Sequence, residues 1–202
     1  SKKAALIATA SLLLLPGSTW LASERLENAT NMNQHTEETT ISESPSVTPH
    51  FICKNCNYNE KATLDFLQTN AGIRDKFALA TIMGNIKQES KFHPNICEGG
   101  ARTSYGGCRR GGYGLIQWTT SSRYYGLGRH AQHKGLDPST LPAQLSWMLQ
   151  ERQWRSIEHR MKTPGLSINS YMNAAYRWLG WGIHGSRTHY AYEYANRFTL
   201  LA

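Results

Sequence analysis

From Glu60 onward, apolar residues recur mainly at three- and four-residue intervals, the spacing that lays one apolar stripe along a helix. The pattern predicts helices near 60–69, 75–91, 121–133, 142–161, 168–179 and 187–199. Turn signals separate them at Gly72, Gly135 to Pro138, Pro164-Gly165 and Gly180 to Gly185. Pro142 suits a first helical turn, and Ser167 and Ser186 suit helix caps. Strand-type patterning is slight. Only Tyr113 to Trp118 and the loop before it read as extended, so the expectation is a mainly α fold with a small hairpin.

The first fifty residues break this pattern. Lys2 and Lys3 precede an uncharged stretch, Ala4 to Ser23, whose apolar run AALIATASLLLL has signal-peptide proportions. A membrane anchor is the other reading, although Pro16 and Gly17 argue against a full span. Residues 24–50 are rich in Ser, Thr, Glu and Asn and hold too few apolar side chains to offset the cost of ordering the backbone. The expected organisation is a signal peptide or anchor over 1–23, a polar linker over 24–50, and one globular domain over 51–202.

Charge sharpens the division. The whole chain carries a net +8, but from Phe51 onward nineteen Lys and Arg face nine Asp and Glu, a net of +10. Such a field draws the domain toward polyanions, with bacterial wall and nucleic acid both eligible. The basic residues are scattered rather than run together, so a plain solvated surface also fits, and no specific nucleic-acid partner is expected.

Candidate chemistry begins on the helix predicted over 75–91. Leu79, Ile82, Met83 and Ile86 form its apolar stripe, and Glu89 continues it. A carboxyl there loses water contact, which disfavours its charged form and raises its pKa toward the range a general acid needs. Pro94 should stop the helix near His93. Taken alone, Glu89 could be a solvated surface charge. The segment GGYGLIQWT, Gly111 to Thr119, adds glycines that let backbone approach a ligand. It also supplies Gln117 and Trp118, which can hydrogen-bond and stack against a sugar ring. A tight turn and short strand is the plainer reading of that segment.

The motif ESKFHP, followed by GYGLIQW and then NAAYRWL from Asn173, resembles the lysozyme-like superfamily of lytic transglycosylases and goose-type lysozymes. The likeness is nearest to phage tail lysozymes, in which a Gly-Asn pair, here Gly84-Asn85, precedes the Glu-Ser dipeptide. It spans roughly residues 60–200, and the specificity lies in the joint occurrence of the motifs. The resemblance implies a lysozyme-like helical domain with a small β-hairpin at the active-site cleft, acting on peptidoglycan. It places the catalytic acid on Glu89, a substrate-contacting glutamine on Gln117, and an Ala-Ala-Tyr element on Ala174, Ala175 and Tyr176. Tyr113 and Trp118 join Gln117 and Tyr176 as expected substrate-binding residues. Arg177 stands where transglycosylases have asparagine, which leaves hydrolysis and transglycosylation both open.

Glycoside cleavage often uses a second carboxylate. Within the loop only Glu98 is available, and it is the candidate, although a charge capping nearby backbone amides explains it equally simply. Tyr171, Tyr176, Trp178 and Trp181 could line a sugar groove, but at helical spacing such residues more often build core. The histidines lack ligand spacing apart from the His130 and His133 pair, so no metal and no cofactor is expected. Cys53, Cys56, Cys97 and Cys108 favour two disulfides in an exported chain, with Cys97 bridged to Cys108 or that loop tied to the Cys53 region. A structural zinc is the alternative. The expected setting is export to periplasm or wall, or association with a virion and its other proteins, with membrane contact through residues 4–23. A wall- or chitin-binding module without turnover is the rival, and a nucleic-acid-binding protein rests on charge alone.

Overall fold

The computed structural model describes residues 50–201. The predicted signal or anchor over 1–23, and all of the predicted linker except His50, lie outside the described residues. The described chain begins with β1 (Phe51–Cys53) and runs through α1 (Tyr58–Thr69), α2 (Lys76–Ser90), α3 (Ser121–Lys134) and α4 (Leu141–Gln150). It continues through α5 (Arg152–Lys162), α6 (Ile168–Leu179) and α7 (Arg187–Arg197) to β2 (Phe198–Leu200). The fold is mainly helical, and no helix among the described residues is long and apolar enough to cross a membrane.

Side-chain caps set the starts of three helices. Asn57 and Glu60 form a reciprocal capping box at the start of α1. Asp75 accepts from the Phe77 and Ala78 amides at the start of α2, and Ser167 accepts from the Ser170 amide at the start of α6. Ser186 departs from expectation: its side chain makes no cap bond, and its backbone N–H donates instead to Gln88 Oε1 at 2.8 Å.

Three helix predictions differ from the structure for tertiary reasons. The helix expected over 142–161 is two helices, because Glu151 adopts an extended conformation between α4 and α5. There its carboxylate is buried and accepts two bonds from Arg123, at 2.7 and 2.9 Å. Helix α7 ends at Arg197 rather than 199. Phe198 to Leu200 pair antiparallel with Phe51 to Cys53, a long-range partnership that local periodicity does not reveal. Likewise α2 stops three residues short of His93. Lys91 and Phe92 both take positive φ, 51° and 63°, and the turn buries Phe92 against Tyr194.

Helix α2 is the central element. Ala78 through Ile86 are all buried, packed chiefly on α7 and α6. Gly84 permits the closest approach: a Cβ there would meet the Ala191 backbone nitrogen at 2.5 Å. Trp154 of α5 and Trp178 of α6 meet edge to face elsewhere in the core. Two disulfides, Cys53–Cys56 and Cys97–Cys108, use all four cysteines. This corrects the zinc alternative and pins the 97–108 loop to itself rather than to the Cys53 region.

Candidate active site

The last turn of α2 opens onto a cleft of about 580 Å³. Gln88, Glu89 and Arg187, with Leu179 to Ile183, line it from the helical side. The loop from Ile96 to Gly100 with Ile116, Gln117 and Thr119 makes up the rest.

Glu89 is mostly buried, with 15 % of its side chain exposed. Its Oε1 lies 2.7 Å from Nη2 of Arg187, the first residue of α7. Burial pushes the Glu89 carboxyl above the ordinary carboxylate value, and the nearby Glu98 charge adds to that push. Arg187 pulls the other way through charge and hydrogen bond, and Arg123 through charge; desolvation outweighs them.

Arg187 is itself only 4 % exposed. Its Nη1 donates to Asn85 Oδ1 at 3.3 Å, and its guanidinium lies 4.6 Å from the centre of the Trp181 ring. Asn85 is fixed in turn by donating to Thr81 O at 2.9 Å. The Gly84-Asn85 pair therefore has two jobs. Gly84 brings α7 against α2, and Asn85 holds the arginine that meets Glu89. Sequence reasoning missed Arg187. The available signal was its placement at a predicted helix start, where a cation opposes the helix dipole and needs a tertiary partner.

The residue after the acid links the two motifs. Ser90 Oγ donates to Leu115 O at 2.7 Å, so the Glu-Ser dipeptide is tied to the Gly-Leu-Ile-Gln segment. The fully buried Gln144 completes the clamp by accepting from Leu115 N at 2.7 Å and donating to Pro94 O and Pro138 O. Strand pairing in this region takes the form of isolated bridges, Cys97 with Tyr113 and Tyr113 with Trp118. The two-stranded sheet joins the ends of the described residues instead.

Of the expected substrate-binding residues, Gln117 lines the cleft. It holds a left-handed conformation, φ 54°, and its Nε2 donates to Gly114 O at 3.0 Å and Ile96 O at 3.3 Å. Tyr113 and Trp118 do not present a face to it. Both are 0 % exposed, and Tyr113 donates its hydroxyl proton to Thr103 O, so these rings brace the loop from within. Their expected stacking on a sugar is corrected accordingly. Tyr176 is 52 % exposed and packs edge to face on Trp181, and Trp181 is the aromatic that lines the cleft.

Glu98 also lines the cleft, yet its Oε2 accepts the Gly112 amide at 2.9 Å, and its own amide donates to Gly112 O at 2.8 Å. Gly111 has φ 73°, and a Cβ there would strike the Glu98 carboxylate. The carboxylate is thus engaged in closing the loop, which is the amide-capping role.

A mainly helical domain with a groove beside a glycine-rich loop is of the lysozyme-like class. A family model described as phage tail lysozyme matches residues 58–196, and the chain belongs to that family. Lysozyme-like cleavage of peptidoglycan is the activity this membership carries. Neither a search of curated proteins nor one of solved structures returned a match.

Proposed function

We propose that Glu89 is the general acid that protonates the glycosidic oxygen of a peptidoglycan strand lying in the cleft. The observation that carries this reading is a largely buried carboxyl, raised in pKa, in the lining of an open groove. Arg187 acts as its positioning partner, fixing the rotamer through the 2.7 Å contact to Oε1. Gln117 binds substrate: its two hydrogen bonds use the amide nitrogen, which leaves Oε1 to accept from a sugar hydroxyl. Trp181 supplies the apolar wall for a sugar ring.

Glu98 serves the loop rather than the reacting carbon, since leaving the Gly112 amide would cost it a charge-assisted bond. A single-acid mechanism follows. The oxocarbenium-like sugar is quenched by water, or by the C6 hydroxyl of the muramic acid itself, which would make the enzyme a lytic transglycosylase. Residues 4–23 serve export or tethering, which brings the cationic domain to the wall.

Mass spectrometry of purified peptidoglycan digested with the full chain tests the reading. New reducing ends identify a muramidase, and 1,6-anhydro ends identify a transglycosylase. Intact strands with the protein bound to them would leave a wall-binding module in place of the enzyme.

A further inference from the structure

A second pocket, about 230 Å³, is lined in part by residues 108–111 and shares Thr119 with the cleft. Arg109 and Arg110 line it together with Thr119, Ser121 and Trp118, and no carboxylate does. Both arginines are exposed, and neither forms an ion pair among the described residues. Two adjacent cations without a counter-charge make a local field that favours an anion.

Other features point the same way. The loop holding the arginines is fixed on both flanks, by the Cys97–Cys108 bridge before them and the Glu98–Gly112 hydrogen bonds after them. These tethers hold the backbone that carries the two exposed arginines. Ser121 begins α3, whose N-cap Thr120 supplies no side-chain bond, so the positive end of that helix adds to the field.

We propose that this pocket binds a carboxylate of the peptide stem carried by the glycan strand in the cleft. This rests on the reading of the cleft as a peptidoglycan site. The shared wall at Thr119 puts the pocket beside a bound strand, where the lactyl ether of muramic acid carries a short peptide with free carboxylates. Arginine's planar fork suits a carboxylate in two-point contact. The substrate class is then peptide-bearing peptidoglycan, in preference to bare glycan or chitin.

The test uses the full chain carrying Glu89→Gln, to prevent turnover, and calorimetric binding of two soluble probes. One is the wall disaccharide bearing its tetrapeptide, and the other is the same disaccharide without peptide. The peptide-bearing probe should bind about tenfold tighter, the scale of one added charge-assisted contact. Adding Arg109→Gln and Arg110→Gln should erase that advantage while leaving the bare disaccharide unchanged. Raised salt should shrink the advantage, since the arginines are exposed.

Equal binding of the two probes, or an equal loss for both in the arginine variant, would overturn the proposal. So would arginine-dependent binding of polyglycerol phosphate with no effect of the peptide, which would assign the pocket to a wall phosphate. An arginine-dependent preference, found together with a parent chain (Glu89 intact) that leaves intact wall uncut, would keep the stem site and sink only the cleavage reading.

Discussion

The two walls of the cleft are built on opposite principles. On the helical side, Asn85, Glu89 and Arg187 project from two helices locked together at Gly84, and their polar groups are buried and mutually bonded. On the loop side, positive-φ residues at Gly99, Gly100, Gly111, Gly114 and Gln117 trace an irregular path. A few tethers hold that path: Ser90 to Leu115, Gln144 to Leu115, Glu98 to Gly112, and one disulfide. Regular backbone fixes a reacting group and tunes its acidity, whereas glycine-rich backbone brings main-chain and amide groups close to a ligand. The proposed function puts the chemistry on the first wall and most of the fit on the second.

The largest effect should come from Glu89→Gln, which keeps shape and removes the proton. Cleavage of purified peptidoglycan should fall by roughly 10²–10⁴-fold, the usual worth of a general acid, with circular dichroism unchanged. Retention of activity would detach the chemistry from the helical wall. Next is Gly84→Ala, whose methyl must push the Ala191 backbone away. Overpacking of this kind costs about 1–3 kcal/mol, read by denaturant unfolding, and turnover should fall with it because Arg187 moves with α7. A change without loss of stability would show that the helices separate freely.

Arg187→Met is expected to act through pH. Arg187 lowers the Glu89 pKa against the larger effect of burial, so removing it should raise that pKa further. A general acid works in its protonated form, present below its pKa and lost above it. The alkaline limb of the pH–rate profile should therefore move to higher pH. A shift to lower pH would contradict the pairing. The smallest effect should come from Glu98→Gln, whose amide oxygen can still accept from Gly112. Cleavage should fall by less than about tenfold, well short of what a lost acid–base residue costs. A loss of a hundredfold or more would restore Glu98 as a second catalytic carboxylate.

The helical half of this comparison was largely legible in the sequence. Periodicity placed α2 and α6 within a residue or so, because an apolar stripe is a local signal read by the same core it forms. Glu89 was found through that stripe. Arg187 was not, because its partner lies 98 residues away along the chain and no spacing rule links them. Tyr113 and Trp118 were read as ligands because aromatic rings beside glycines suit both a sugar and a core. Only burial tells these apart, and burial here depends on Gln144 and Ser90 folding the loop inward. The break at Glu151 was hidden for the same reason, since a buried ion pair with Arg123 overrides local helix preference.

The most direct test of the helical wall is a carbon-13 titration of the Glu89 side-chain carboxyl in the full chain, assigned by comparison with Glu89→Gln. The account predicts a pKa above the ordinary carboxylate value, and a still higher one once Arg187 is replaced by methionine. A value at or below the ordinary one would mean that the ion pair dominates burial, and Glu89 would then be held as a carboxylate unable to act as the acid.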